Sequence, residues 1–157
     1  MDKLTVIDSI IKHLEEEVDL ASKAQRETFD AATDEDAYSD GKYDTRSLES
    51  SYLAGGQAQL VKELGQALQG FRLMRANHFI QSPSRQVGLG SLVNIEQGKE
   101  SYWYMLGPGA GGTDVEVDGQ QITVLTLHSP LGRSIAGKSE DDNIQLGGSK
   151  AKVVQVV

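Results

Sequence analysis

Two apolar seams that complement each other in residue number constrain this chain more than any other feature. The first runs through Leu4, Ile7, Ile11, Leu14, Val18 and Ala21, with spacings of 3, 4, 3, 4 and 3. The second runs through Leu53, Gln57, Leu60, Leu64, Ala67, Phe71 and Met74, with spacings of 4, 3, 4, 3, 4 and 3. Alternating steps of three and four keep one side chain per turn on a single helix face, which is the pattern of a coiled-coil seam. In an antiparallel hairpin, facing residues carry numbers with a constant sum. Leu4 with Met74, Ile7 with Phe71, Ile11 with Ala67, Leu14 with Leu64, Val18 with Leu60, Ala21 with Gln57 and Gln25 with Leu53 all sum to 78. The turn then falls near residue 39, and the segment Thr33 to Lys42 forms the tip. At about 1.5 Å per residue each arm is roughly 50 Å long. The layers turn polar at Gln57 and Gln25, so the tip is expected to be held less firmly than the base.

Proline and glycine mark where this pattern stops. Met1 to Arg75 holds no proline and five of the 17 glycines; all three prolines follow. Helix therefore comes first, and turns and strands later. HFIQSPSRQ, from His78, lacks periodicity and reads as a linker. Beyond it SLVNIEQ, KESYWYML, DVEVD, QITVLTL and KAKVVQVV read as strands. Ser129 before Pro130 is an N-cap with proline at the first helical position, and Gly137 is a stop. The fold class is α+β: residues 1–77 form an antiparallel coiled-coil hairpin, and residues 78–157 a linker and a small antiparallel β domain with one short helix, expected to fold alone. The low aromatic content, 6%, suits a split architecture better than one large core.

Composition excludes several function classes. Fifteen basic against 23 acidic residues give a net charge of −8, which disfavours free nucleic acid and anionic membrane as partners; no sequence-specific DNA binding is expected. Without cysteine there is no disulfide, thiolate zinc site or cysteine nucleophile. Apolar runs fall short of membrane-spanning length, and the acidic, polar start MDKLTVIDS is unlike a signal peptide, so a cytoplasmic location is expected.

Two strings imitate nucleotide-binding motifs without their context. Gly132 to Ser139 satisfies GxxxxGK[ST], but Glu140, Asp141 and Asp142 follow, where a P-loop needs a helix N-terminus for phosphate. Gly107, Gly109 and Gly112 satisfy GxGxxG, yet TDVEVDG after them reads as strand and turn. His13, His78 and His128 lack metal-ligand spacing, and no serine has a histidine and acid pattern around it. No active site of the chain's own is expected, and no cofactor of its own.

The acidic tip carries more information. From Glu27 to Asp40 there are six carboxylates, Glu27, Asp30, Asp34, Glu35, Asp36 and Asp40, and no basic residue. Such residues solvate a helical turn and favour the following helix N-terminus. Delivered on a projecting hairpin, they are also able to complete a magnesium site in another molecule, although they would hold the ion poorly alone. Arg26, Lys42 and Arg46 flank the tip and are candidates for touching an RNA phosphate beside such a metal.

At this point the chain resembles the Gre transcript-cleavage factors of bacterial RNA polymerase over nearly its whole length. Val87-Gly88-Leu89-Gly90-Ser91-Leu92-Val93, Tyr104-Met105-Leu106-Gly107-Pro108, and Ser129-Pro130-Leu131-Gly132-Arg133 with Gly137-Lys138 are similar to that family's "VGFGSxV", "YxIVGP" and "SPLGRALLGK", in the same order. Nucleoside diphosphate kinase regulators share the C-terminal domain but carry a shorter hairpin. The resemblance implies a C-terminal domain of FKBP-like fold that docks, through Ser129, Pro130, Leu131, Gly132 and Arg133, on the rim of the polymerase secondary channel. It implies further that two tip acids help hold the polymerase's second catalytic magnesium and a water that cleaves backtracked RNA, so contact with the nascent RNA 3′ end is indirect. The family tip is close to D-L-x-E-N-x-E-Y, and here it is Asp36-Ala37-Tyr38-Ser39-Asp40-Gly41-Lys42-Tyr43. The first acid and the tyrosine match; Ser39 stands where the second acid belongs, with Asp40 one place later. Asp36 and Asp40 are thus the candidate catalytic acids, acting in trans. Two readings follow, a factor that stimulates cleavage and a non-cleaving regulator or inhibitor in the same channel. A third, prolyl isomerase, meets only four aromatics in the C-terminal half, Phe79, Tyr102, Trp103 and Tyr104.

Overall fold

The computed structural model describes residues 1–33, 45–77 and 85–157. Helix α1 spans Lys3–Thr33 and α2 spans Thr45–Asn77. The six strands are β1 Leu92–Gln97, β2 Glu100–Gly107, β3 Asp114–Val117, β4 Gln120–Thr126, β5 Asn143–Leu146 and β6 Ser149–Val156, with α3 at Pro130–Ile135 between β4 and β5. The expected tip, Thr33 to Lys42, and the expected linker lie almost wholly outside the described residues.

The two long helices pack antiparallel, as the ion pairs Asp8–Arg75 (2.8 Å) and Glu15–Arg72 (2.7 Å) show by their opposed numbering. Asp2 caps α1, its carboxylate accepting from the Thr5 backbone N–H at 2.8 Å. Ile7, Leu14, Ala67 and Phe71 are buried, with Ile11, Val18, Leu64 and Met74 packed beside them, so five of the expected seam layers contribute to one cluster. Val6 and Ile10, outside the seam, are fully buried as well. They belong to a cluster that also contains Leu92, Met105, Val115, Val117, Ile122 and Val124, so the base of the hairpin and one face of the sheet share a core.

The sheet order is β3-β4-β2-β1-β6-β5. All pairings are antiparallel except β2 with β4, which run parallel with Trp103 opposite Ile122 and Leu106 opposite Leu125. The sheet is mixed, which corrects the expectation of a purely antiparallel one. Its cause is the path of residues 108–113, which carries the chain past the place of β4 to the edge strand β3, so that β4 returns between β3 and β2. Alternation along the strands gives the sheet two buried faces. Leu92, Met105 and Ile122 turn to the hairpin, while Val93, Ile95, Leu106 and Val153 join Ile135 of α3, Ile144 and Val87 on the opposite side.

Strand β5 is absent from the sequence reading. It pairs with β6 through a two-residue turn, Leu146 opposite Ser149, in which Gly147 and Gly148 adopt φ of 58° and 84°. Two positive φ values in succession suit glycine, and Gly-Gly is itself a hairpin signal.

Glycines of the C-terminal half make the seat for α2. A Cβ on Gly107 would collide with the Phe71 ring, and one on Gly109 would come 3.0 Å from the Ala67 Cβ. Pro108 in turn lies so close to Gly70 that a side chain there would strike it. Gly90, at φ 85°, has the Met74 sulfur 3.7 Å from the place of a Cβ. The hairpin is thereby fixed at its base by close backbone approach.

Candidate functional site

The expected site residues divide between the tip and the start of α3. Asp36, Asp40 and Lys42 lie outside the described residues, and Arg46 belongs to the first turn of α2 without a described side chain. Arg26 is exposed on α1, two turns before its C-terminal end. Among the described residues no group of three or more His, Asp or Glu is arranged to hold a metal ion.

Ser129 to Arg133 are described in full. Ser129 caps α3 as expected: its Oγ accepts from the Gly132 N–H at 3.0 Å and donates to the Thr126 carbonyl at 2.8 Å. Pro130 opens the helix, where a missing N–H costs nothing, and is exposed. Gly132 is buried directly over the Thr126 carbonyl, with no room for a Cβ. Arg133 folds back so that its guanidinium donates to the His128 carbonyl at 2.6 Å. The turn therefore presents Pro130 and the Arg133 side chain outward on a base fixed to the end of β4.

The same geometry settles the two nucleotide-like strings. Within Gly132 to Ser139, α3 ends before Gly137, which adopts φ 74° and donates its N–H to the Val87 carbonyl at 2.8 Å. The Val87 N–H returns a bond to the Lys138 carbonyl at 2.7 Å, and Gln86 bridges to Ser139. Those backbone groups are engaged in joining two segments, and no helix begins after Ser139 to receive a phosphate. Gly107 and Gly109 are taken up in seating α2.

The aromatics of β2 do not converge. Strand alternation sends Trp103 to the hairpin side and Tyr104 to the other, where it stacks with Tyr102 at a centroid distance of 6.5 Å. Burial, aided by nearby Asp114, pushes the Tyr104 phenol up, and a hydrogen bond to Glu100 does the same for Tyr102. Phe79 lies outside the described residues. The described aromatics of the C-terminal half thus build no single aromatic pocket.

One concavity escaped the sequence reading. A groove of about 560 Å³ lies between Leu20 and Ala21 of α1 and Leu60 and Leu64 of α2, with Glu17 and Glu63 on its two banks. Ala110, Gly111 and Thr113, in the connection between β2 and β3, close its base end. Leu60 occupies a seam position, which its spacing predicts to be covered, so the sequence carries no signal of the groove.

No protein-family model and no curated protein sequence matches the chain. Among solved structures it is similar to GreA factor homolog 1 (Gfh1) of Thermus thermophilus, at 15% identity over 94% of each chain with a TM-score of 0.38. Gfh1 of Thermus aquaticus is similar at 17% identity over 92% of each chain, with a TM-score of 0.36. A further structure, of the transcription factor Gfh1, has 13% identity, 94% of this chain and 93% of that one covered, and a TM-score of 0.38. Likeness of this depth assigns no activity. No helix among the described residues is long and apolar enough to cross a membrane.

Proposed function

We propose that this chain is a Gre-like factor that binds bacterial RNA polymerase at its secondary channel and modulates elongation, with Asp36 and Asp40 as the acids that stimulate cleavage of backtracked RNA. The observation that carries the reading is the long antiparallel hairpin, packed on the sheet at its base, whose two helices lead away from that base toward the segment 27–40 with its six carboxylates and no basic residue. A carboxylate pair borne on such an arm adds charge to a distant magnesium site without needing a pocket in its own chain. The Ser129–Arg133 turn supports the docking half of the proposal, since its outward face rests on a rigid cap. Polymerase supplies the magnesium and performs the hydrolysis, and this chain supplies ligands in trans.

A second reading, a regulator that occupies the channel without supporting cleavage, is favoured by one observation, Ser39 at the position of the family's second tip acid. Cleavage by purified polymerase in stalled elongation complexes separates the two. Under the first reading Asp36→Asn and Asp40→Asn leave polymerase affinity nearly unchanged and lower cleavage by orders of magnitude, because losing a metal ligand in a transition state costs several kcal/mol. Under the second, the wild-type chain gives no stimulation and Ser39→Glu creates it. Robust cleavage by the wild type and by both Asn variants alike would remove the tip from the mechanism.

A further inference from the structure

The face of α1 that the sheet covers continues beyond the sheet. Val6 and Ile10 are fully buried in the core shared with β3 and β4. Steps of three and four residues from them lead along the same helical stripe to His13, Glu17 and Leu20, with the seam residue Ala21 at its border. Past the connection at residues 110–113 the described structure covers this stripe only in part: His13, Glu17 and Ala21 are half-buried and Leu20 is exposed. Leu20 is 65% exposed and Leu60 on the facing helix 48%, and the groove opens between them.

We propose that this groove docks a basic amphipathic helix of a partner protein, with leucine-type side chains along one stripe and Lys or Arg at its borders. Continuity is the first argument. A helix laid between α1 and α2 would cover, along the shaft, the side that the sheet covers at the base. The groove is also preformed at one end, because the Gly112 N–H donates to the Val124 carbonyl at 2.9 Å and the Val124 N–H to the Thr113 carbonyl at 2.8 Å, fixing the end wall to β4. Charge selects the partner. Each bank carries a carboxylate, Glu17 and Glu63, and among the described residues no Lys or Arg lines the groove. Glu17 faces the His13 imidazole at 3.5 Å, and Glu63 accepts from the Gln59 amide at 2.7 Å. A second copy of the chain would bring the same two carboxylates and a further net charge of −8 to the contact, so a cationic partner is preferred.

This inference is independent of the polymerase reading and is testable on the full chain. The probe is a fluorescein-labelled 14-residue helical peptide of Leu and Lys in amphipathic order, read by anisotropy against a peptide of identical composition in scrambled order. The amphipathic peptide binds at least tenfold more tightly than the scrambled one. Leu60→Ser and Glu63→Gln each weaken it severalfold, whereas Glu116→Gln, on the outer edge strand β3, leaves it unchanged. Both groove side chains are solvent-accessible, so thermal melts of these variants stay close to wild type. Equal binding of the scrambled peptide, or an equal loss from Glu116→Gln, reduces the effect to general charge attraction and overturns the proposal. Sedimentation showing a dimer that Leu60→Ser converts to monomer overturns it as well, in favour of self-pairing.

Discussion

The base and the outer half of the hairpin share one heptad spacing and meet different surroundings. At the base, Ile7, Ile10, Leu14 and Phe71 are at most 1% exposed, held between the partner helix and the sheet. Farther out, the seam residues Leu53 and Leu60 are 56% and 48% exposed, Leu20 beside the seam is 65% exposed, and among the described residues the buried Gln57 Oε1 has no hydrogen-bond partner. The seam alone therefore does not bury its residues. Two helices in contact cover only one narrow stripe of each, and a third layer is needed for a full core. The base has that layer and the shaft does not, which leaves the outer half available as a working surface.

The comparison breaks most severely if the third layer is removed. A chain beginning at residue 85 exposes Leu92, Met105, Ile122 and Val124, all fully buried in the intact structure. Each is worth about 1.5–3 kcal/mol of burial, against a total stability of about 5–15 kcal/mol for an ordinary domain. Circular dichroism and ultracentrifugation are expected to show a poorly folded or aggregating product, which replaces the sequence-based expectation that this part folds alone. Phe71→Ala tests the same contact within the full chain. It empties a site enclosed by Gly107 and Val124, and urea unfolding is expected to show a loss of about 3–5 kcal/mol.

The smallest expected effect has the opposite sign and falls in the shaft. Gly55 and Gly56 lie inside α2, where a Cβ would meet nothing within 4 Å. Replacing either by alanine removes backbone freedom from the unfolded chain without a clash, so each raises stability by about 0.5–1 kcal/mol. The same change at Gly107 would push against Phe71 and destabilise. Matched thermal melts of Gly56→Ala and Gly107→Ala should move in opposite directions.

Much of this architecture was legible because it is local. Seam spacing gave both helices, alternation gave five strands, and Ser129-Pro130 gave the capped start of α3. The misses are mainly non-local. Val6 and Ile10 widen the apolar face of α1 beyond a strict seam, yet what they face is set by a sheet more than 80 residues away in sequence. The parallel pairing of β2 with β4 depends on the path of the connection between them. Gly90, Gly107 and Pro108, read first as parts of family-like motifs, turn out to seat α2, a role that no periodicity reveals. β5 was the exception, since Gly147-Gly148 was a sufficient local signal. Of the candidate site, the cap at Ser129 was readable through its hydrogen-bonding chemistry, whereas the groove required two helices and a loop in three dimensions.

Direct binding to bacterial RNA polymerase core, measured with the full-length chain by fluorescence polarisation in competition with a factor known to occupy the secondary channel, tests the central claim most directly. Saturable binding that the competitor displaces, and that Pro130→Ala or Arg133→Ala weakens without lowering the melting temperature appreciably, is the predicted result. A folded chain that fails to bind, or that binds without displacement by the channel competitor, would contradict it.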